Sequence, residues 1–559
     1  MSSNVTRFYK VQNLVDLRFE ELREDPTSTF QTAVQNTLRK MKQKFDQAVY
    51  SRLYPSSSQP GLFFGLAKVH KLKEGQTDVK DLPLRPVISN IGTTTYQTSK
   101  YLAKLLTPLT KSDQNIDSTK DFIDKLKTMR ISEGYKMVSL DVVSLFTSVP
   151  LDYTINLILD KVFKDKLVKT KLSRAELKEL LELCTKKMHF SFNNKVYKQT
   201  NGVAMGSPLG PVIANIFMVH LEQQMVPRLA EKMSSWYRYV DDTFTFIKDG
   251  EVESVQEALN SFHEAIQFTF EEEKDGRIAF LDVMVNRKTN GSFDTSVYRK
   301  KTDSSIYIKW DAFASRAWKI GTLKGLFRRA FLVCSTNESL DGEINHLKYV
   351  FSKINGYPSR VVNDALHQVQ SKLTNTEDNR AFSEDSQIDS VEEEEGEGDL
   401  CTPYICLPYK GSEGDKVVKS LKNTLLTVLP KKIEPRFVYK GTKIGSFFSV
   451  KDKVGRSHRS NLVYGYKPPG TVDLKDGYVG ETNVRFGRRT QEHASWDKNS
   501  SVYKNSITKN IAVSDTDFMI IESGYPKPLD RKIAEALYVK DFKPVLNAQK
   551  ISYKLKLFN

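Results

Sequence analysis

The sequence predicts an α+β protein built from more than one domain, and two observations lead to this fold class. From residue 61 to about 370, short runs of β-branched and aromatic residues alternate with segments whose apolar residues recur at helical spacing. Residues 384–399 then contain nine Asp or Glu and no Lys or Arg. Such a block repels itself and is typical of a solvated linker, so we expect folded units on both sides of it.

The order of these segments predicts five regions. Apolar residues recur at helical spacing up to about residue 50, and a Pro/Ser break follows at 54–61. Residues 408–460 contain 13 Lys or Arg against four acids, which predicts a basic connector. The predicted regions are an N-terminal helical region 1–60, a mixed unit from 61 to about 370, an acidic linker 375–407, the basic connector 408–460 and a compact unit 461–559.

Composition narrows the class of partner. The 559 residues carry 84 Lys or Arg and 68 Asp or Glu, a formal charge of +16, which is typical of proteins that bind a polyanion such as nucleic acid. A basic soluble protein without such a partner is the alternative. Four cysteines are too few for a disulfide scaffold and fit a reducing compartment. We expect no signal peptide and no membrane-spanning segment, because no apolar run is long enough.

Two adjacent acids interrupt the apolar stretch WYRYVDDTFTFI at 236–247. Neighbouring side chains of a strand point to opposite faces, so we expect a hairpin whose tip brings Asp241 and Asp242 to one side. A second strand-like run, KMVSLDVVSLF, places Asp141 near its end. Carboxylates gathered in this way can hold Mg²⁺ beside a substrate phosphate. The alternative for any single Asp of this kind is a turn or cap residue.

Seven sequence blocks in fixed order resemble the reverse transcriptases of Penelope-like retroelements. The resemblance covers roughly 61–360 and also predicts the late string NGYPSRVVNDAL (355–366), which is present. The blocks are GLAKVHK (65–71), LRPVISNIGTTTYQTSKYLAKLL (84–106), SLDVVSLFTSVP (139–150), TNGVAMGSPLGPVIANIFM (200–218), YRYVDDTFTFI (237–247), AFLDVMVNR (279–287) and VYRKKT (297–302).

This resemblance implies a right-hand polymerase, with fingers and palm in 61–300 and a helical thumb in 301–374. The palm would contain a central antiparallel sheet packed on helices. Asp141, Asp241 and Asp242, with the carbonyl of Val142, would hold two Mg²⁺ ions.

Several further residues match positions that contact the nucleotide or the nucleic acid in that family. Phe146 would exclude a 2′-OH and so select deoxynucleotides, and a core position is the alternative for this ring. Gly206 lies in AMGSPLGP, where small residues let a backbone pass close to template and nucleotide. Lys68 and Arg85 match the residues that bind the triphosphate. The residues implied as primer grip are Arg299, Lys300 and Lys301.

The C-terminal unit 461–559 contains LVYGYK (462–467), YVGET (478–482), RFGRRTQEH (485–493) and DRKIAEALYVKDFKPVLN (530–547). In these motifs it resembles a GIY-YIG endonuclease, which implies a small sheet flanked by helices. The resemblance implies one Mg²⁺, held by Glu535, and an arginine that stabilises the transition state. Arg489 and Arg488 compete for that role. A DNA-binding module that no longer cuts is the alternative. The other matching residues are Tyr464, Tyr478, His493 and, for nucleic-acid binding, Asn547.

The unit departs from related nucleases in one respect that concerns metal. Many Penelope-like nucleases carry a cysteine pair between the two tyrosine motifs, and the interval GYKPPGTVDLKDG has none. Cys401 and Cys406 lie upstream instead, with His458 as the nearby histidine. We therefore expect no structural zinc. In the connector, Lys and Arg interleave with Tyr and Phe, a pattern typical of single-strand binding.

Together these patterns predict an RNA-directed DNA polymerase and endonuclease that performs target-primed reverse transcription. The expected partners are element RNA, target DNA and dNTPs, with no membrane, and the expected location is the nucleus. The sequence leaves open whether one chain or a homodimer does both tasks, and which RNA feature and DNA site are bound. The alternatives are a telomerase-like reverse transcriptase, an RNA-dependent RNA polymerase and a domesticated nucleic-acid-binding protein without catalysis.

Overall fold

The computed structural model of the chain describes residues 19–67, 84–193, 195–199, 202–374, 402–430, 433–440, 454–525 and 527–547. The elements up to residue 199 include six strands and seven helices. They are β1 (Phe19–Leu22), α1 (Thr27–Lys40), α2 (Gln47–Leu53), β2 (Gly61–Ala67), β3 (Leu84–Ser89), α3 (Tyr96–Leu106), α4 (Thr119–Thr128), β4 (Tyr135–Val142), α5 (Leu145–Ser148), α6 (Leu151–Phe163), α7 (Arg174–Thr185), β5 (His189–Phe192) and β6 (Lys195–Gln199).

The elements from 210 to 374 complete the palm and add a helical unit. They are α8 (Gly210–Met225), β7 (Met233–Tyr239), β8 (Asp242–Lys248), α9 (Val252–Asn260), β9 (Phe268–Glu272), β10 (Arg277–Phe280), β11 (Val283–Arg287), β12 (Phe293–Val297), α10 (Arg316–Val333), α11 (Asn337–Tyr349) and α12 (Ser359–Thr374).

Two smaller units follow the segment expected to be an acidic linker, whose residues 375–401 lie outside the described residues. The elements are β13 (Tyr404–Pro408), α13 (Gly411–Val428), β14 (Arg436–Lys440), β15 (Leu462–Tyr466), β16 (Tyr478–Thr482), α14 (Phe486–Gln491), α15 (Ser501–Lys509), β17 (Phe518–Ser523) and α16 (Pro528–Phe542).

The fingers region is a five-stranded sheet in the order β1-β6-β5-β2-β3. Its core is aromatic, because Phe63, Phe190 and Tyr197 are buried and stack on one another. Strand β1 lies at one edge, and helix α1 buries Val34 and Leu38 in the main core. The N-terminal region therefore joins the fingers and palm, where the sequence analysis set it apart, and its residues 19–22 form a strand instead of a helix.

The palm is a four-stranded antiparallel sheet in the order β7-β8-β4-β9, as expected. Helix α8 packs in the same core and is apolar on most of its surface; its buried residues include Ile213, Phe217 and Leu221. A helix that is apolar all round belongs in an interior. The hairpin β7–β8 crosses this core, so its tip is fixed by buried residues.

A buried ion pair joins that hairpin to helix α8. The Arg238 side chain is 1% exposed and donates to both carboxylate oxygens of Glu222, which is equally buried. Trp236 Nε1 donates to the same carboxylate at 2.9 Å. The remaining Arg238 donors reach Asn215 Oδ1 and Asn115 Oδ1, both at 2.8 Å, so the buried guanidinium is satisfied on all sides.

Three helices, α10 to α12, form the unit predicted as the thumb, with a core that includes Leu323, Phe327 and Phe351. A three-stranded sheet, β10-β11-β12, lies between this unit and the palm. The expected basic connector is partly folded, because α13 crosses between the parallel strands β13 and β14. Its contact with the helical unit includes the rings of Phe313 and Tyr409, 5.2 Å apart.

The C-terminal unit has a three-stranded sheet in the order β16-β15-β17, flanked by α14, α15 and α16. It contacts the N-terminal segment of the chain. His458 Nε2 lies 2.7 Å from Asp25 Oδ2, and Arg485 Nη2 donates to Gln31 Oε1 at 3.1 Å. Among the helices of the described ranges, none is long and apolar enough to cross a membrane.

We expect Glu222→Gln to lower the free energy of unfolding by about 3–5 kcal/mol, because it leaves the buried Arg238 charge without its counter-charge. Urea unfolding followed by circular dichroism measures the change. Glu231→Gln, at an exposed position, is the matched control and should unfold like the parent protein. Equal stabilities for the two variants would contradict the assigned role of the ion pair.

Candidate functional site

The predicted catalytic acids lie at the adjoining ends of β4 and β8. Asp141 and Asp242 are direct partners across these antiparallel strands, and Val240 and Asp241 form the two-residue turn between β7 and β8. Val240 has φ +58°, a left-handed conformation that is rare for a β-branched residue. Its carbonyl accepts from Arg238 Nη1 at 3.0 Å, so the buried arginine helps hold this conformation.

A cavity of about 610 Å³ opens beside these strand ends. Asp141 and Asp242 line it, together with Tyr298, Lys300 and Lys301 from the segment after β12. Asp241 is not among the residues that line the cavity; it is in the turn, where its carbonyl accepts from the Val142 N–H at 3.3 Å. The structure thus brings two of the three predicted acids into one cavity with two lysines.

Burial, and then the negative charges of Asp241 and Asp141, raise the pKa of Asp242 to about 6, while the Lys300 charge acts against this shift. A site in which carboxylates repel one another and are partly desolvated favours a bound cation. The oxygen donors present suit Mg²⁺ in chemistry. Within the described residues, no three His, Cys, Asp or Glu side chains are arranged to share one metal ion. The number of Mg²⁺ ions therefore stays a prediction.

The C-terminal unit brings a second set of predicted residues together around Tyr464. Its hydroxyl lies 2.6 Å from His493 Nε2 and accepts from Arg489 Nε at 3.0 Å. The other ring nitrogen, His493 Nδ1, lies against Ser500 Oγ, which already accepts the N–H groups of Val502 and Tyr503 at the start of α15. With both lone pairs occupied, the Ser500 hydroxyl donates its proton to Nδ1, and the Nε2–H of the neutral ring donates to the Tyr464 oxygen.

The charge states of this cluster follow from its burial. Burial, and then the neighbouring Arg489 charge, lower the pKa of His493 to about 3, so the imidazole is neutral at physiological pH. Burial, and then Tyr478, raise the pKa of Tyr464 well above its ordinary value. Arg489 is thus the positive charge within a group of neutral rings, as a site for a developing negative charge requires.

Glu535 lies on α16 and faces the same group. Its Oε1 accepts from the Glu481 N–H at 3.2 Å, and Glu481 is in turn paired with the buried Arg531 at 2.8 Å. Burial, and then the Glu535 charge, raise the pKa of Tyr478. A carboxylate held beside tyrosine hydroxyls has the donor chemistry of a single Mg²⁺ site.

The structure distinguishes the two competing arginines. Both arginines pair with Glu492 at 3.0 Å, but Arg489 is 25% exposed and also donates to Tyr464, whereas Arg488 is 58% exposed. Asn547 has a structural role: its amide donates to the Val479 carbonyl at 2.7 Å and accepts from the Val479 N–H at 2.9 Å. These bonds tie the segment after α16 to β16, and the predicted nucleic-acid contact of Asn547 would have to share that amide.

Comparison with protein families supports the polymerase site. Residues 80–275, which include the paired acids, match the family reverse transcriptase (RNA-dependent DNA polymerase). These residues are a reverse transcriptase domain. Residues 306–367, which contain α10, α11 and most of α12, match the animal helix-turn-helix domain. The predicted thumb therefore contains a helix-turn-helix domain, and the reverse transcriptase domain extends as far as the turn after β9.

Solved structures similar to the chain include telomerases and a viral polymerase. Telomerase from Candida albicans in complex with a fragment of telomeric RNA is 10% identical, with TM-score 0.39; the match covers 64% of this chain and 68% of that one. Apo telomerase from Candida tropicalis is 12% identical, with TM-score 0.38 and coverages of 66% and 62%. The BmCPV RNA-dependent RNA polymerase is 12% identical, with TM-score 0.31 and coverages of 62% and 31%. No curated protein matches the chain.

Within the reverse transcriptase domain, the residues predicted to contact the nucleotide have different surroundings. Arg85 is exposed on β3, and Lys68 lies outside the described residues. Phe146 is half-buried on α5 and packs against the main core, while its carbonyl accepts from the Val203 N–H at 2.7 Å. A Cβ on Gly206, which has φ +114°, would lie 2.3 Å from the Ile88 carbonyl oxygen. Gly206 therefore permits a close approach to β3, and contact with template or nucleotide stays a prediction.

The three predicted primer-grip residues do not share one environment. Lys300 and Lys301 line the cavity with the catalytic acids, whereas both terminal nitrogens of Arg299 donate to Glu343 on α11. Cys406 is exposed on β13 and Cys401 lies outside the described residues, so the expectation on zinc stays a prediction.

Several residues that support the sites were not found by sequence reasoning. Glu222 had one usable signal, since it is an acid within an otherwise apolar helical run. Ser500 begins α15 as a serine cap, a local signal that gives no indication of its partner His493. Glu343 lies on a polar helix surface in sequence, and nothing local marks it as buried.

We expect Asp242→Asn to raise the melting temperature at pH 7.5 in EDTA and to change it little at pH 4. The native carboxyl has its pKa raised from 3.8 to about 6, so its contribution to stability is present at low pH and lost as the pH rises through 6. Mg²⁺ should raise the melting temperature of the parent protein more than that of the variant.

Thermal unfolding at both pH values, with and without Mg²⁺, measures these effects. Asp113→Asn, at an exposed position, is the matched control. A variant that responds to pH and Mg²⁺ as the parent protein does would contradict both the raised pKa and the assignment of Asp242 as a ligand.

Proposed function

We propose that the chain is the reverse transcriptase and endonuclease of a Penelope-like retroelement. The C-terminal unit nicks target DNA, and the reverse transcriptase domain extends the freed 3′-OH by copying element RNA. The observation that carries this proposal is the cluster of Tyr464, Arg489 and His493 facing Glu535, in the same chain as the Asp141–Asp242 cavity. The ordered sequence blocks supply the subtype.

In the polymerase reaction the chain's own residues bind and orient. Asp141, Asp242 and Asp241, with the Val142 carbonyl, would hold Mg²⁺, which activates the 3′-OH and neutralises phosphate charge when bound. Lys300 and Lys301, which line the same cavity, attract the phosphates. Phe146 selects deoxynucleotides, and Arg85 and Lys68 bind the triphosphate.

In the nuclease reaction Glu535 would hold the Mg²⁺ that polarises the scissile phosphate. Arg489 stabilises the charge that develops on the phosphoryl oxygens, and its contact with Tyr464 fixes its direction. Tyr464 stays protonated, because its pKa is raised by burial, and its oxygen accepts the Nε2–H of His493 in a hydrogen bond. His493 therefore orients Tyr464 instead of acting as a cationic acid.

The partners in this proposal are element RNA, target DNA and dNTPs, and the work is done in the nucleus. The charge of +16 favours polyanionic partners of this kind. Whether one chain or a homodimer performs both steps is part of the proposal's test.

We expect Arg489→Lys to reduce nicking of supercoiled DNA by about 100-fold or more, because one fixed donor to a developing oxyanion contributes that much. Arg488→Lys, the adjacent and more exposed position, is the matched control and should keep most of the activity. Gel conversion of supercoiled to nicked DNA measures both. Equal losses in the two variants would contradict the assignment of Arg489.

The coupled reaction is tested with the full chain, supercoiled DNA, element RNA, Mg²⁺ and labelled dNTPs. Label should become covalently joined to the nicked strand. Asp242→Ala should nick without extending, and Glu535→Ala should do neither on intact DNA but should extend a pre-annealed primer.

Mixing these two variants tests whether the sites act in trans. Restored label after mixing indicates that two chains can divide the work, and its absence indicates that one chain does both. If the parent protein extends only pre-annealed primers and never nicks, the proposed nuclease is wrong and the chain uses existing 3′ ends.

A further inference from the structure

The cationic wall of the polymerase cavity is continuous with a contact to the helix-turn-helix domain. Four of the five residues in the segment 298–302 line the cavity, namely Tyr298, Lys300, Lys301 and Thr302. Arg299 lies among them but is not in the lining; it pairs with Glu343 on α11. The segment that faces the catalytic acids is thus fixed from behind by a different domain.

The Arg299–Glu343 pair has the geometry of a structural anchor. Both terminal nitrogens of the guanidinium donate to the two carboxylate oxygens, one of them at 2.7 Å. Glu343 is 6% exposed, and Arg299 Nε also lies 3.8 Å from Asp303 Oδ2. A two-pronged pair of this kind fixes direction as well as distance. If Arg299 instead bound a nucleic-acid phosphate, Glu343 would be left buried without its counter-charge, which proteins tolerate poorly.

A second set of contacts joins β12, the strand just before Arg299, to the helix-turn-helix domain. The Thr295 hydroxyl, on β12, donates to the Val333 carbonyl at 2.6 Å. The Ser335 N–H donates to the Thr295 carbonyl at 3.0 Å, and the Thr295 N–H donates to Ser335 Oγ at 2.8 Å. These bonds hold the junction between α10 and α11 against β12, only a few residues before the cavity wall. Two ties leave the segment 298–302 little freedom to move independently of the helices.

We propose that Glu343 is a positioning residue for the polymerase reaction. By holding Arg299, it fixes the backbone that presents Lys300 and Lys301 to the phosphates beside Asp242. The helix-turn-helix domain is in this way part of the polymerase site, although it lies outside the reverse transcriptase domain in sequence. Arg299 acts through this contact and not as a phosphate ligand. The inference rests on the proposed polymerase activity and does not depend on the nuclease.

The test uses the full chain with a DNA primer pre-annealed to RNA, so that nicking is not required. Single-nucleotide extension gives kcat and KM for the dNTP, and fluorescence anisotropy gives the Kd for the primer–template. The variants are Glu343→Gln, Arg299→Lys, which keeps the charge but loses the two-pronged geometry, and the exchange Arg299→Glu with Glu343→Arg. Glu338→Gln, exposed on the same helix, is the matched control.

We expect Glu343→Gln and Arg299→Lys to lower kcat by about tenfold or more, because small misplacements at a reacting centre are costly, while the primer–template Kd stays close to that of the parent protein. The exchange should recover part of the lost kcat, and Glu338→Gln should change nothing. If Glu343→Gln fails to fold, the fall in kcat of Arg299→Lys decides the question.

Two results would overturn the inference. A weaker primer–template Kd with kcat unchanged would mean that Arg299 contacts nucleic acid directly, and an unchanged kcat would mean that the pair only stabilises the fold. A parent protein that extends no pre-annealed primer would instead refute the polymerase activity itself.

Discussion

The buried ion pair between Arg238 and Glu222 is the interaction on which the polymerase site depends. Two charges removed from water are stable only when every donor has a partner, and here the guanidinium is shared among Glu222, two asparagines and the Val240 carbonyl. The last of these bonds reaches the strained turn that carries Asp241 and precedes Asp242. A turn with an unfavourable φ persists only when surrounding contacts, such as this hydrogen bond, hold it in place. The position of the carboxylates is therefore set from the interior, and the cavity itself contributes little to it.

The sequence was informative where the physical cause is local. The hairpin at 236–247 follows from strand periodicity and from the impossibility of burying two adjacent acids in a flat strand. The position of Asp141 near the end of β4 follows from a similar strand-like run, whereas an antiparallel sheet was implied only by the family resemblance. The cluster around Tyr464 was assembled from motif residues that lie far apart in the sequence, and the structure brings them within hydrogen-bonding distance.

Non-local causes were not predictable. Residues 19–22 read FEEL, which has good helix propensity, yet they form β1 because β6 offers an open strand edge. The partner of Arg238 is 16 residues earlier on another element, and the partner of Arg299 is 44 residues later. The different surroundings of Arg488 and Arg489 also could not be predicted, because adjacent helical residues have similar sequence context but point about 100° apart.

The contact between the first and last parts of the chain has a consequence for delivery of the primer. Asp25 and Gln31, in the N-terminal segment that packs with the fingers and palm, hold His458 and Arg485 of the C-terminal unit. In the proposed reaction, a DNA end released at the nuclease site would stay close to the polymerase site of the same chain. Encounter of that end with the polymerase becomes intramolecular, at an effective concentration on the order of millimolar for short tethers. In the proposed reaction, this local concentration would favour capture of the nicked end over competing ends in solution.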